Sequence, residues 1–386
     1  MVETLEERYK DALVTKETLE GKVREGVRMM EGLLAEFETR GYAVRKSSIS
    51  AAASDLLDEG WRRMDEAKGK AKEVVDEGFE KARRAKEHVK ESIESTIEEA
   101  LQRARTNGLI TFEDLPRPWR VNPYIFKGYR FHDAKVDCVR SILVVSNETF
   151  NIWSHLLGLL FVMGIAFYLY PSSHNFSLST TSDIFIAAIF FFAAAKCMIC
   201  STVWHTFNCV AEQSLMERFA CVDYTGISLL VAASILTTEY TAFYCEPVSR
   251  WFYMLITAAL GIGGIVVPWH PFFNRADMAW ARVTFYVCLA LTGFLPLGQL
   301  IHARGVAWAY YFYSPVTKSL LMYFGGAVLY ACKVPERWFP GMFDYVGGSH
   351  NIWHMAVLSG IFFHYCAMQE FFKNAFTRAQ AQCSIY

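Results

Sequence analysis

"DIFIAAIFFFAAAKCMICSTVWHT", residues 183–206, decides the fold class. Between Asp183 and His205 it carries a single charged side chain, Lys196. The run exceeds the roughly 20 residues that carry a helix across about 30 Å of hydrocarbon. Backbone polar groups find no water at that depth, and a helix satisfies them internally. Working outward, six further apolar segments lie near 151–170, 219–243, 250–267, 278–300, 315–332 and 350–372. Loop-forming stretches such as "YPSSHNFSLSTTSD", "CEPVSR", "PWHPFF" and "VPERWFPGMFDYVGG" separate them. The expectation is an all-α bundle of seven transmembrane helices over 151–372, with a short tail at 373–386.

The charge is unevenly spread. Residues 1–110 are rich in Glu, Lys and Arg, whereas charges become scarce beyond about 150. The contrast implies two regions in two solvents. In the first, Trp61, Met64, Ala67, Ala71, Val75, Phe79, Ala82, Ala85, Val89, Ile93, Ile97 and Leu101 recur at threes and fours. That spacing predicts an amphipathic helix over 55–105, either solvated or docking a membrane surface or a cytoplasmic protein partner. Residues 1–50 read as helical too. The start, "MVETLEERYK", has no basic n-region or apolar run, so no signal peptide is expected. Residues 111–150 form a connector: "LPRPWRVNPYIFKGYR" (115–130) cannot continue a helix at its prolines, its aromatic rings suit the bilayer interface, and a short interfacial helix should follow. The net charge of -1 gives no global field that would select nucleic acid.

Lys and Arg set the orientation. Arg218, Arg275, Arg282, Lys333 and Arg337, with Arg117, Arg120, Lys127, Arg130, Lys135 and Arg140, fall on one side; Arg250, Arg304, Lys373 and Arg378 fall on the other. The larger set marks the cytoplasm, so the N-terminal region is placed there and the tail outside. Asn175, in the sequon "NFS", becomes an outer glycosylation candidate. Cys245 and Cys383 also fall outside, where a disulfide is chemically allowed although nothing in the sequence pairs them. Cys197 and Cys200 sit in an apolar helix and read as small buried hydrophobes.

The chemistry gathers at the inner leaflet. His350 and His354, four apart, share one helix face. The second segment ends on the same side at "CSTVWHTF" (200–207), and the third begins there at "RFACVDYTG" (218–226). Ser201, His205, Asp223, His350 and His354 therefore fall at similar depth. Asp223 stands in an apolar run, where an ionised carboxylate costs about 3 kcal/mol unless compensated. A divalent cation would compensate it, and three imidazoles with one open position suit a catalytic zinc ion. Lys196 could snorkel, pair with a carboxylate or hold an anionic group. His155, His270 and His302 read as interfacial, and His364 as structural.

"NPYIFKGYR" (122–130), "NETFNIWSHLLG" (147–158), Ser201 with His205, "DYTGIS" (223–228) and "VPERWFPGMFDYVGGSHNIWH" (334–354) stand in this order. Over about 120–372 the chain resembles the progestin and adiponectin receptor family, also called hemolysin-III-related proteins. The resemblance implies a seven-helix membrane protein with a cytoplasmic N-terminus. It implies zinc ligands at His205, His350 and His354, a water-holding carboxylate at Asp223 and a neighbouring hydroxyl at Ser201. It also implies ceramidase-like chemistry linked to lipid and zinc homeostasis. In that reading a ceramide-like membrane lipid enters from the bilayer of the plasma membrane or an internal membrane. Its amide is hydrolysed to a fatty acid and a sphingoid base, with Asp223 as general base. The alternative is a ligand receptor or signalling scaffold whose zinc is structural. A zinc transporter would need a polar path across the bilayer, for which Lys196 is a poor lining.

Overall fold

A computed structural model describes Arg28, Gly32, residues 50–270 and residues 278–383. Most of the expectation for residues 1–50, and Arg275, lie outside the described residues. The chain divides into two units, residues 1–95 and 96–386.

In the first unit, helix α1 (Ser50–Asn107) starts ahead of Trp61, the first residue of the apolar stripe, and spans all of it. Its charged face carries local pairs such as Arg83 with Glu80 at 3.1 Å and Lys81 with Glu77 at 3.9 Å. Such exposed pairs contribute a few tenths of a kcal/mol each to the helix.

The second unit opens with the last turns of α1. The helix ends at Gly108, whose φ of 79° is the left-handed conformation that closes a helix. Ala100, Leu101 and Ala104 are buried with Trp119, Phe131, Cys138, Val210 and Met216. The connector folds onto this cluster. Ile110 and Tyr129 exchange backbone hydrogen bonds at 2.9 and 3.1 Å, and the Trp119 indole donates to the Val210 carbonyl at 3.1 Å. The expected short helix is α2 (Lys135–Arg140).

The apolar part follows as α3 (Thr149–Gly164, continued by one wide turn to Leu169), α4 (His174–Leu178), α5 (Thr181–Phe207), α6 (Gln213–Ala242) and α7 (Pro247–Val266). Then come α8 (Ala279–Thr292), α9 (Leu297–Arg304), α10 (Val306–Tyr313), α11 (Thr317–Cys332) and α12 (Ser349–Gln382). Local sequence sets several of the starts. Thr180 and Asp183 cap α5 reciprocally, and Pro247 opens α7 where its missing N–H costs nothing.

Among the described residues, five helices are long and apolar enough to cross a membrane: Thr149–Leu169, Thr181–Phe207, Gln213–Ala242, Pro247–Trp269 and Thr284–Arg304. The expected sixth segment is broken by a 3-10 turn at Ser314–Val316, which leaves α11 only 16 residues long. The expected seventh lies in α12, whose 34 residues include buried Ser349, Asn351, His354 and His364. Those polar groups dilute its apolar character because they face the interior.

Helices surrounded by lipid gain little from the hydrophobic effect between them, so close packing has to hold them. α5 and α6 meet where a Cβ on Gly226 would stand 3.0 Å from the Cys197 backbone. α11 and α12 meet where one on Gly326 would stand 2.5 Å from Ala356. Phe190, Met198, Ile361, Met368 and Phe372 fill the centre and are fully buried. Cys197 and Cys200 are buried against Gly226, as apolar contacts. Cys245 and Cys383 form a disulfide with Cα atoms 5.3 Å apart, tying the end of α12 to the α6–α7 turn. Asn175 Nδ2 donates to the Gln369 carbonyl at 2.8 Å and to Gln369 Oε1 at 2.7 Å.

Candidate metal centre

His205 closes α5, and His350 and His354 occupy the first turns of α12. The three rings converge. His205 Nε2 lies 3.1 Å from His350 Nε2 and 3.0 Å from His354 Nε2. Tetrahedral ligands at about 2.05 Å from zinc stand roughly 3.3 Å apart, so this spacing is close to that of a loaded site. The three residues are the group, among the described residues, that could hold a metal ion. His205 and His354 are 2% and 1% exposed, and His350 is half-buried.

The outer nitrogens decide whether a cation fits. His205 Nδ1 is 2.7 Å from Glu148 Oε2, so the ring donates there and its Nε2 keeps a lone pair. Ser154 spends its one hydroxyl hydrogen on the Asn151 carbonyl at 3.1 Å. When it accepts from His354 Nδ1, 3.0 Å away, His354 Nε2 keeps a lone pair as well. In that tautomer two lone pairs face each other at 3.0 Å. A cation between them turns that repulsion into coordination. Zinc fits this donor set, with the carboxylate and hydroxyl orienting the ligands from behind.

The supports are built from distant parts of the chain. Glu148, just before α3, also accepts from Asn151 Nδ2 and Asn208 Nδ2, each at 2.8 Å. Asn351 on α12 donates to Asn151 Oδ1 at 2.7 Å. Arg130, from the connector, donates to the His205 carbonyl at 2.6 Å and to Ser141 Oγ at 2.8 Å. A cation at the C-terminal end of α5 also opposes that end's partial negative charge. Glu336 receives the backbone N–H of Ser349 at 2.7 Å and the Ser349 hydroxyl, fixing the start of α12. Asn122 Nδ2 donates to the same carboxylate at 3.1 Å, and Phe126 N donates to Asp344 at 2.7 Å. The "NPYIFKGYR" and "VPERWFPGMFDYVGG" stretches thus dock on each other.

Asp223, half-buried on α6, lines a cavity of about 1460 Å³ together with His205, His350, Glu148 and Asn151. The cavity extends to Arg117, Glu217, Arg218 and Arg282. Ser201 is placed differently. It is buried, it is not among the lining residues, and its hydroxyl lies 2.8 Å from His155 Nδ1. His155 is not interfacial as expected. It is buried, stacks on His354 at 3.8 Å between ring centres and approaches the His354 carbonyl with Nε2 at 3.4 Å. The physical reason is that α3 presents Ser154 and His155 inward against α12. Lys196 is half-buried and is not among the lining residues. His364 is buried and bonds Thr237 Oγ1 at 2.9 Å, a structural placement. His270 and His302 are exposed.

Sequence reasoning missed Glu148, Asn151, Ser154, Asn351 and Glu336. The first three, with His155, recur at three- and four-residue spacing in "NETFNIWSHLLG", which places them on one face at the head of α3.

Residues 143–365 match the family described as haemolysin-III related. That span is more than half of the chain. The chain belongs to the haemolysin-III-related family. It is 41% identical over 263 residues to an uncharacterized protein of Schizosaccharomyces pombe, covering 68% of this chain and 60% of that protein. It is 34% identical over 321 residues to an ADIPOR-like receptor of Saccharomyces cerevisiae, covering 68% and 59%. It is 31% identical over 252 residues to progestin and adipoQ receptor family member 3 of Homo sapiens, covering 64% and 80%. The matched region therefore spans about three fifths of the two fungal relatives. The chain is an adiponectin-receptor-like, multi-pass integral membrane protein.

Proposed function

We propose that this chain is a zinc-dependent lipid amide hydrolase of the ceramidase type, in a seven-span bundle with a cytoplasmic N-terminal region. The observation that carries the reading is the convergence of His350 Nε2 and His354 Nε2 on His205 Nε2, at 3.1 and 3.0 Å, beside a cavity that also bears Asp223.

Two spans join the five already described. The helical run from Val306 to Cys332 is roughly 40 Å long at 1.5 Å per residue, and α12 is about 50 Å. Orientation is supported by the Lys and Arg distribution. It is also supported by the Cys245–Cys383 disulfide at the end of α12 remote from the histidines, since disulfides persist in oxidising compartments. The histidine end then faces the reducing cytoplasm.

A zinc ion, when bound, would supply a Lewis acid and an activated water near neutral pH. Glu148 and Ser154 hold the His205 and His354 rings in the tautomers that offer Nε2. Asp223 orients the attacking water and takes its proton. Ser201 acts through His155, which stacks on His354, and is therefore a positioning group. A ceramide-like substrate presents its amide to the cavity beside the histidines, giving a fatty acid and a sphingoid base. Helix α1 offers a surface for a cytoplasmic protein partner.

A receptor with structural zinc is the second reading, in keeping with the word receptor in the relatives' names. The cavity beside a three-histidine set favours hydrolysis, because structural zinc sites are generally closed by four protein ligands. The test pairs metal content with ceramide turnover. Asp223→Asn should keep zinc and lose turnover by about 100-fold or more, while His350→Ala should lose both. Turnover unchanged in Asp223→Asn overturns the hydrolase. Zinc in the parent with no turnover of any lipid amide favours the receptor.

A further inference from the structure

The bundle buries a second polar site, far along α6 from the histidines. Glu239 lies in the last turn of α6 and is 1% exposed. Its Oε1 is 2.8 Å from Thr257 Oγ1 on α7, and that hydroxyl is 3.1 Å from Thr292 Oγ1 at the end of α8. Thr292 in turn donates to the Leu289 carbonyl at 2.7 Å. Both threonines are buried. Glu239 Oε2 has neither solvent nor a hydrogen-bond partner among the described residues.

Thr257 has one hydroxyl hydrogen to give to Glu239 Oε1, and Thr292 gives its own to the Leu289 carbonyl, so none reaches Oε2. An ionised Glu239 would hold its charge in a buried site with one oxygen unengaged. A positive species at the carboxylate would offset that charge.

Among the described residues, no side chain supplies it. Arg304 spends its guanidinium on both oxygens of Glu246, at 2.6 and 2.7 Å, and on the Ala242 carbonyl at 3.1 Å. Arg378 donates to the Thr241 and Ala242 carbonyls at 2.7 and 3.3 Å. Arg250 donates to the Tyr244 carbonyl and lies over the Tyr240 ring. On the remaining neighbours, His364 is bonded to Thr237, Tyr313 donates to the Gly293 carbonyl at 2.9 Å, and Tyr253 stacks on Phe243. Other buried carboxylates are fully engaged by comparison. Asp183 accepts from Tyr240, Tyr244 and Thr180, and Glu336 from Ser349 and Asn122. An unpaired charge inside a membrane bundle is expensive and marks a site with a ligand.

We propose that the junction of α6, α7 and α8 binds one monovalent cation, a proton or a sodium ion, at Glu239. The donor set is all oxygen, one carboxylate and two hydroxyls, which suits a hard cation over a transition metal. One negative charge matches one positive charge; a divalent ion would leave an excess charge buried. A proton on the carboxyl group would remove the buried charge. A sodium ion would neutralise the carboxylate and engage the orphaned Oε2. The site is independent of the histidine cluster and of any hydrolase activity.

The experiment uses the full chain, purified in detergent or nanodiscs, as parent, Glu239→Gln and Thr257→Val. Thermal unfolding is followed in sodium chloride and in choline chloride at equal ionic strength. Infrared difference spectra between parent and Glu239→Gln are recorded in the carbonyl-stretch region of protonated carboxyl groups. A rise in melting temperature with sodium, absent in Glu239→Gln, identifies sodium as the ligand. A sodium-independent melt, with a protonated-carboxyl band missing from Glu239→Gln, identifies the proton. No sodium response together with only an ionised-carboxylate band at Glu239 overturns the proposal. If Glu239→Gln fails to fold, Thr257→Val decides the matter. A shifted carboxyl band or an altered sodium response upholds the site, and a protein identical to the parent in both overturns it.

Discussion

Replacing Glu148 by Gln removes one charge and one acceptor behind the metal centre while leaving the side chain's shape intact. Glu148 accepts three hydrogens, from His205 and Asn151 on Oε2 and from Asn208 on Oε1. A Gln side chain has one oxygen. If that oxygen faces His205 and Asn151, its NH2 meets the Asn208 NH2 at about the present 2.8 Å, donor against donor. If it is flipped, two donors are opposed instead. Only a turn of the Asn208 amide would restore the third bond, and His205 loses the charged acceptor that orients its ring. Losing such an outer carboxylate weakens metal binding by about 10- to 100-fold, or roughly 1.4 to 2.7 kcal/mol. The assay is competition of the purified protein against a chelator of known affinity, with the melting temperature as a control for folding. Zinc affinity within about threefold of the parent, with His350→Ala losing zinc in the same assay, would refute the idea that Glu148 tunes the site.

Further substitutions test other parts of the account. Ser201→Ala leaves His155 Nδ1 buried without its partner. It should lower stability by about 1–3 kcal/mol, read by thermal or denaturant unfolding, while zinc content stays at the parent level. Gly226→Ala places a Cβ 3.0 Å from the Cys197 backbone and 3.1 Å from Cys200, forcing α5 and α6 apart. It should destabilise by about 1–3 kcal/mol and lower turnover more than zinc content, because Asp223 and His205 ride on those two helices. Burial, and then the nearby Arg130 charge, hold the His132 imidazole below its ordinary range. The unfolded chain therefore binds the proton more readily, so stability should fall as pH drops through about 6.5 and level off once the folded imidazole also titrates. His132→Gln should flatten that part of the melting-temperature profile; an unchanged profile would assign the loss to other groups.

The long apolar runs were legible because membrane thickness sets their length, and five of the seven expected segments appear as helices long and apolar enough to cross. The last two were harder to read. α12 hides its polar residues by facing them inward, and α11 is cut short by the turn at Ser314–Val316. The convergence of His205, His350 and His354 was readable from the four-residue spacing together with which helix ends share a side. What positions those rings was not. Glu148 is 57 residues from His205 in sequence, and Ser154 is 200 from His354. Neither relation has a local period, so only the packing of α3 against α5 and α12 creates it. The same holds for Ser201, which the sequence put at the depth of His205 although the contact it makes is with His155 on α3. Cys245 and Cys383 could be placed on one side by topology, but their pairing depends on where the end of α12 meets the α6–α7 turn.

The central claim is one metal ion held jointly by α5 and α12. Metal stoichiometry of the purified protein, measured by elemental mass spectrometry on the parent, His205→Ala and His354→Ala, tests it most directly. The account predicts one zinc per chain in the parent and loss of it in both variants, with folding retained by size-exclusion and thermal criteria. A folded parent devoid of zinc after purification in zinc-replete buffer, or variants that keep a full complement, would contradict it.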